Sequence, residues 1–198
     1  MGSMNALWWL YAVVLGAALA NITITLTLAV KSRLVTGSPV HVPTFLWGLF
    51  FALLSMQAWI ASVGYQFSLA EVTVLEALAL LWVPLSILVS SVFLGEHWWE
   101  SSTDDSPSAA EQFPRVIAAV LWVFVVMVIV NEVLRAERGD LVVDIDLFFP
   151  GTMALLAACG IVIRRWRDGW ALPGLMLVLL ISYTALGYST VGVSPAGI

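Results

Sequence analysis

The chain has 198 residues, of which 61% are hydrophobic and only 11% are charged, and its formal net charge is −5. Soluble domains carry about 25% charged and about 45–50% apolar residues, so a water-soluble fold of this length would leave an excess of apolar surface exposed. Thirteen acidic residues against eight basic ones exclude a nucleic-acid-binding protein, which would be basic. Cys159 is the only cysteine, which excludes an intrachain disulfide.

Six apolar runs follow one another along the chain. A helix needs about 20 residues to cross a hydrocarbon core of about 30 Å, and in lipid a helix satisfies its own backbone hydrogen bonds. The sequence therefore predicts an all-α polytopic transmembrane bundle in which residues 1–198 form a single integral membrane domain. The six predicted spans cover residues 6–30, 43–65, 72–94, 115–134, 147–163 and 170–188.

Punctuating residues mark the limits of the first three spans. The first run stops at Lys31, and the second begins at Pro43, because proline is favoured in the first turn of a helix. Pro84 falls inside the third run, where lipid-embedded helices tolerate it. A polar, acidic and serine-rich segment, 95–114, then separates the third run from the fourth, and its composition predicts an irregular loop.

Basic residues predict the orientation of the bundle. The positive-inside rule places the side with more lysine and arginine in the cytoplasm, so both termini are expected on the non-cytoplasmic side of a bacterial or archaeal cell (inner) membrane. Segment 95–114 then lies in the cytoplasm. Three spans in each half give the layout of an inverted repeat, although the halves share no clear residue match. Six basic residues are predicted on the cytoplasmic side and two on the other: Lys31, Arg33, Arg115, Arg164, Arg165 and Arg167 against Arg135 and Arg138.

Seven tryptophans fall near the ends of the predicted spans. Indole side chains prefer the interface between lipid and water, so each of them is expected to anchor a helix end there. They are Trp8, Trp9, Trp47, Trp98, Trp99, Trp166 and Trp170.

Three polar residues lie inside the predicted spans. At about 1.5 Å per residue, Asn21 and Gln57 fall near the midplane, and Glu76 falls toward the non-cytoplasmic side. Buried polar groups in a membrane mark candidate solute paths, so Asn21, Gln57 and Glu76 are the candidate path-lining residues. The alternative is that the two amides join helices by hydrogen bonds and that Glu76 reaches the surface. The hydroxyls of Thr23, Thr25 and Thr27 can bond to the preceding helical turn, so this row of threonines is weak evidence for a pore.

Acidic residues gather on the predicted non-cytoplasmic side. Glu132 lies just inside the end of the fourth span, and Asp144 and Asp146 lie where the fifth begins. Together they are candidates for an outer mouth, because a focused negative field concentrates cations. The alternative is a solvated rim in which Arg135 and Arg138 pair with these acids.

Catalytic and cofactor motifs are absent from the sequence, so an enzyme is not predicted, and neither a metal nor a cofactor is expected. The only histidines, His41 and His97, do not have the spacing of a recognised metal-ligand motif. The length and the six-span layout are similar in outline to small channel families such as bacterial urea and amide channels.

The leading hypothesis is a small channel or transporter for a cation or a small polar solute. A homo-oligomer is expected, and Gly16 and Ala20 form a small-xxx-small pair that suits a close helix contact, either within the chain or between subunits. The alternative is a non-catalytic membrane subunit or scaffold that binds a partner through the acidic segment 95–114.

Overall fold

The computed structural model describes residues 2–36, 42–68, 73–100, 109–138, 145–163 and 170–191. Within these ranges the chain forms six α-helices and no β-strand, which confirms the all-α prediction. The helices are α1 Gly2–Thr36, α2 Val42–Ser68, α3 Val74–Glu100, α4 Ala109–Arg138, α5 Ile145–Val162 and α6 Ala171–Val191.

The largest difference from the predicted boundaries concerns segment 95–114. Helix α3 continues to Glu100 and α4 begins at Ala109, so part of this segment is helical and the prediction of a loop throughout was wrong. Residues 101–108 lie outside the described ranges. The reason is physical: extending an existing helix adds one hydrogen bond for each residue fixed, so a helix can continue after its apolar run has ended.

Two helices contain apolar stretches that are long enough to cross a membrane by length and composition, at Ala6–Leu28 and Val74–Leu94. The core helix of a soluble protein, or a signal sequence for the stretch near the N-terminus, satisfies the same criterion. The other four helices contain shorter apolar stretches within the described residues. These are Phe45–Ile60, Arg115–Val130, Phe148–Val162 and Ala171–Ala185.

The helices are arranged as a closed ring in the order α1, α3, α4, α5, α6, α2, and α2 also contacts α3. Tyr11 meets Ala58 and Leu26 meets Gly48, so α1 and α2 are antiparallel. Consecutive helices with short connections run antiparallel, which makes α1 parallel to α3. Helices α1, α2 and α3 all contact one another, whereas no Cα atom of α4 comes within 8 Å of one of α6 in the described part of the chain. The two halves therefore differ in helix packing.

Aromatic side chains occupy the middle of the bundle. The ring of Phe50 lies 5.6 Å from that of Trp47 and 6.0 Å from that of Phe124. Phe124 is 6.2 Å from Phe149, which stacks on Tyr183 at 4.0 Å. These rings join α2, α4, α5 and α6, and edge-to-face or offset contacts of this kind are favourable beyond their buried area. Aromatic rings therefore pack in the space between these four helices.

The predicted aromatic belt was wrong for two of its members. Trp47 is 1% exposed and Trp8 is 9% exposed, so both indoles belong to the core, whereas Trp9 and Trp170 point outward. A position near the end of a helix sets the depth of a side chain but not the face on which it lies. Only the packing of the neighbouring helices determines that face.

Two glycines provide a test of the helix packing. A Cβ at Gly160 would collide with the Cδ2 of Leu172 and lie 3.5 Å from the Cγ2 of Ile117, whereas one at Gly16 would meet nothing within 4 Å. Overpacking costs about 1–3 kcal/mol, and replacing a glycine inside a helix recovers about 0.5–1 kcal/mol. We expect Gly160→Ala to lower the melting temperature of the purified protein by about 2–8 °C, which corresponds to a net loss of about 1–2 kcal/mol.

Gly16→Ala is the matched control. Glycine inside a helix costs roughly 0.5–1 kcal/mol relative to alanine, so this substitution should leave the melting temperature unchanged or raise it. Equal losses for the two variants would contradict the packing of α5 against α6. The open space at Gly16 also means that the Gly16–Ala20 pair does not form a close contact within the described chain.

Candidate functional site

Asn21 joins α1 to α3. Its side-chain amide donates to the hydroxyl of Ser91 at 3.1 Å, and that hydroxyl donates to the carbonyl of Leu88 at 2.7 Å. Asn21 is half-buried and Ser91 is fully buried. This geometry supports the interhelical hydrogen bond that was the alternative to a path-lining role, because a buried amide in an apolar bundle finds its partner on a neighbouring helix.

The threonines beside Asn21 behave as expected from the sequence. Thr23 donates to the carbonyl of Leu19 at 2.8 Å, and Thr25 donates to the carbonyl of Asn21 at 2.9 Å. The prediction of bonds to the preceding turn is confirmed. These hydroxyl protons are engaged within α1 and do not line a polar surface.

Gln57 stands apart from the other polar residues of the bundle. Its side chain is half-buried on α2, and its Oε1 atom is buried without a hydrogen-bond partner among the described residues. A buried acceptor that lacks a donor costs about 1–3 kcal/mol. Such an atom is a site where a donor from a bound molecule would be stabilising.

Glu76 has a local structural role at the start of α3. Its Oε2 accepts from the backbone N–H of Thr73 at 2.8 Å, while its own N–H donates to the Thr73 hydroxyl at 3.2 Å. These reciprocal bonds form a capping box. The side chain is 5% exposed. The signal was present in the sequence, since Thr73-Val-Leu-Glu76 has the spacing of a capping box before an apolar run, and the sequence analysis missed it.

The three candidate path-lining residues lie on three different helices and do not form a cluster. Ser91, the partner of Asn21, lies fifteen residues along α3 from Glu76, or about 22 Å at the helical rise. Gln57 precedes Ala58, whose carbonyl accepts from the Tyr11 hydroxyl at 3.2 Å. Tyr11 is in turn ten residues from Asn21 along α1, or about 15 Å. The three residues therefore lie at separate levels of the α1–α2–α3 group.

Trp8 adds a second unpartnered group at the same end of the bundle as Tyr11. Its Nε1 is buried without an acceptor among the described residues, and its ring lies 6.2 Å from that of Tyr11. Indole N–H groups normally find a partner when they are buried. Trp8 is therefore a candidate donor that sequence reasoning, which assigned it to the surface, did not find.

The acidic side chains of the predicted outer mouth lie outside the described part of the structure. Glu132 belongs to α4 and Asp146 to the first turn of α5, but their side chains lie outside the described part of the structure, and Asp144 lies outside it altogether. The histidines His41 and His97 likewise have no described side chains. The acidic mouth remains a prediction.

Replacing Glu76 with glutamine removes the charge but keeps a side chain that can form the capping box. It therefore distinguishes the contribution of the cap to stability from that of the charge. We expect Glu76→Gln to keep the melting temperature within about 1–2 °C of the parent, because glutamine also serves in a capping box. Glu76→Leu should lower it by about 2–4 °C, because losing a cap costs roughly 1 kcal/mol. Differential scanning fluorimetry of the purified variants measures both shifts. Equal destabilisation by the two changes would show that the charge, and not the cap, stabilises α3.

Comparison with known proteins adds no further assignment. No protein-family model, no curated protein and no solved structure matches this chain.

Proposed function

We propose that the chain is an integral membrane protein with six spans. The outward face of α3 supports this, because the residues that recur along it at intervals of three or four are all large, apolar and exposed: Leu75, Leu78, Trp82, Leu85, Val89 and Val92. Soluble monomers rarely expose continuous apolar patches above a few hundred Å². The polar residues of α3 whose side chains are described, Glu76, Ser86, Ser90 and Ser91, are all buried. This is the reverse of a surface helix in a soluble protein, which turns its polar face outward.

The proposed orientation has both termini on the non-cytoplasmic side, and it is testable with single cysteines. In a Cys159→Ser background, Ser3→Cys and Ser194→Cys should react with a membrane-impermeant maleimide in intact spheroplasts. Ser102→Cys should react only after the membrane is opened. The reverse pattern would overturn the orientation, and labelling of all three in intact spheroplasts would overturn the six-span arrangement.

We further propose that the protein carries a small polar solute or a cation across the membrane. The observation that supports this is the buried Oε1 of Gln57, which has no donor among the described residues. Gln57 is the proposed contact along the path, and Asn21 is assigned to its hydrogen bond with Ser91. Glu132, Asp144 and Asp146 are the proposed acidic mouth. Glu76 is assigned to the cap of α3, with its charge adding to the field on the non-cytoplasmic side.

A carrier is favoured over an open channel. The Oε1 of Gln57 is buried, so no open water path reaches the proposed contact. The rings from Trp47 to Tyr183 pack between α2, α4, α5 and α6, so a permanently water-filled pore between these four helices would have to displace them. A carrier exposes its site to one side at a time and needs no continuous pore. Assembly into a homo-oligomer is part of the proposal, with the open face around Gly16 as a candidate contact.

Reconstitution into proteoliposomes tests transport. The purified full chain is compared with empty vesicles for uptake of urea, methylammonium, sodium, potassium and protons, each measured separately. The proposal expects saturable uptake of at least one solute above the empty-vesicle rate. Uptake indistinguishable from empty vesicles for all of them would overturn a transport role for this set and favour a non-catalytic membrane subunit.

A further inference from the structure

A groove on the outside of the bundle lies between α3 and α4, which pack against each other. Its volume is about 280 Å³, and its walls include Val89, Phe93, Ala118 and Trp122, with Arg115 at one end. Val89 and Trp122 are each about half exposed, so the groove opens away from the bundle. The small side chain of Ala118 leaves room between the larger ones.

Among the residues that line the groove, only Arg115 and Ser90 have polar side chains. Ser90 also borders the groove, but its hydroxyl donates to the carbonyl of Ser86 at 2.8 Å and lies 3.4 Å from the carbonyl of Ala119. The remaining lining is apolar. A molecule that fits must therefore be apolar along its length and must not require hydrogen bonds from the wall.

Arg115 supplies the charge at one end. It is exposed, and it borders the groove. A guanidinium binds phosphate through two parallel hydrogen bonds. Arg115 and Trp122 are seven residues apart on α4, which places them about 10 Å apart along the helix. The surface of the groove itself is apolar, so Arg115 borders it with the apolar part of its side chain and can offer its guanidinium only beside the end of the groove.

We propose that this groove binds an anionic phospholipid, with the phosphate at Arg115 and one acyl chain along Phe93, Ala118 and Trp122. The proposal rests on the membrane location proposed above. The positive-inside rule puts Arg115 on the cytoplasmic side, where anionic lipids attract basic residues. A phospholipid fits better than a peptide because the groove combines one cationic end with an apolar wall that offers no partner for a peptide backbone.

Lipid binding to the purified, delipidated full chain provides the test. Native mass spectrometry is used to titrate phosphatidylglycerol, phosphatidylcholine and, separately, inorganic phosphate as a competitor. The expected result is one saturable phosphatidylglycerol per chain, weaker binding of phosphatidylcholine, and little competition by phosphate. Arg115→Gln should weaken phosphatidylglycerol binding by about tenfold or more, because a charged hydrogen-bond partner is lost.

Two further variants make the result specific. Lys31→Gln removes another exposed basic residue on the same predicted side and should change binding less than twofold. Ala118→Phe keeps the charge but occupies the groove, and it should also weaken binding by about tenfold. Equal losses from Lys31→Gln and Arg115→Gln, equal affinity for the two lipids, or displacement by inorganic phosphate would each overturn the lipid site.

The membrane location is checked separately. If the chain is released from membranes by alkaline carbonate, the membrane location fails and the lipid site fails with it. If the chain stays in the membrane fraction while Arg115→Gln binds phosphatidylglycerol as the parent does, only the lipid site is overturned.

Discussion

Gln57→Met is expected to abolish most transport while leaving the protein as stable as the parent or slightly more stable. Methionine keeps the volume of the side chain and removes the buried acceptor that lacks a donor. Losing one solute hydrogen bond of about 1–1.5 kcal/mol corresponds to roughly a tenfold fall in uptake. Removing the unpartnered acceptor should raise the melting temperature by about 2–4 °C, if about 1 kcal/mol is recovered.

The two readouts distinguish the roles of Gln57. If Gln57 only joins helices by a hydrogen bond, Gln57→Met should lower the melting temperature. If the Oε1 of Gln57 has no donor and binds no solute, Gln57→Met should raise the melting temperature while uptake stays at the parent level. Either result contradicts the proposed role.

Ser55→Ala is the matched control on the same helix. Ser55 is fully buried two residues before Gln57, and its hydroxyl donates to the carbonyl of Phe51 at 2.8 Å. Bonds of this kind within one helix contribute little to stability. Uptake and melting temperature should therefore both stay close to those of the parent. Loss of uptake in this variant would show that the assay responds to any change in α2.

Phe124→Ala is expected to cause the largest loss of stability. Phe124 is 0% exposed and touches the rings of Phe50 and Phe149, so alanine would leave a cavity at the centre of the aromatic core. Phenylalanine-to-alanine changes in buried cores cost about 3–5 kcal/mol. We expect the lower end for the proposed membrane protein, because in lipid the packing contacts would be lost without a comparable transfer contribution.

Thermal unfolding in detergent measures this loss. A change of about 3 kcal/mol corresponds to a fall of roughly 6–12 °C in the melting temperature for a chain of this size. Phe124→Leu should lose less than half as much, because it leaves a smaller cavity. Ile129→Ala lies on the same helix but alters a side chain that is 55% exposed, and its shift should be within about 2 °C. Equal losses for Phe124→Ala and Ile129→Ala would contradict an aromatic core.

The number and order of the helices could be predicted because the information is local. Each apolar run is long, and a chain segment without polar side chains satisfies its backbone most simply as a helix. The residues at which the helices start and end were predicted less accurately. Glu100 and Ala109 are helical although they lie in a polar segment, since helix extension does not depend on apolar side chains.

The candidate site was predicted only in part. Asn21 and Gln57 were recognisable because an amide in an apolar run is conspicuous at any depth. Their different environments were not recognisable, because the partner of Asn21 is seventy residues away on α3, and nothing local indicates that the acceptor of Gln57 lacks a donor. The role of Glu76 was readable from Thr73 three residues earlier.

The all-α class, the order of the six helices and the polar residues within them follow from the sequence alone. Tertiary structure decided which faces point inward. It placed Trp8 and Trp47 in the core and Trp9 outside it, and it brought Asn21 to Ser91. The physical reason is that these helices carry large apolar side chains on their exposed faces as well as on their buried ones, so no apolar stripe marks the buried face. Only the fit between neighbouring helices selects that face.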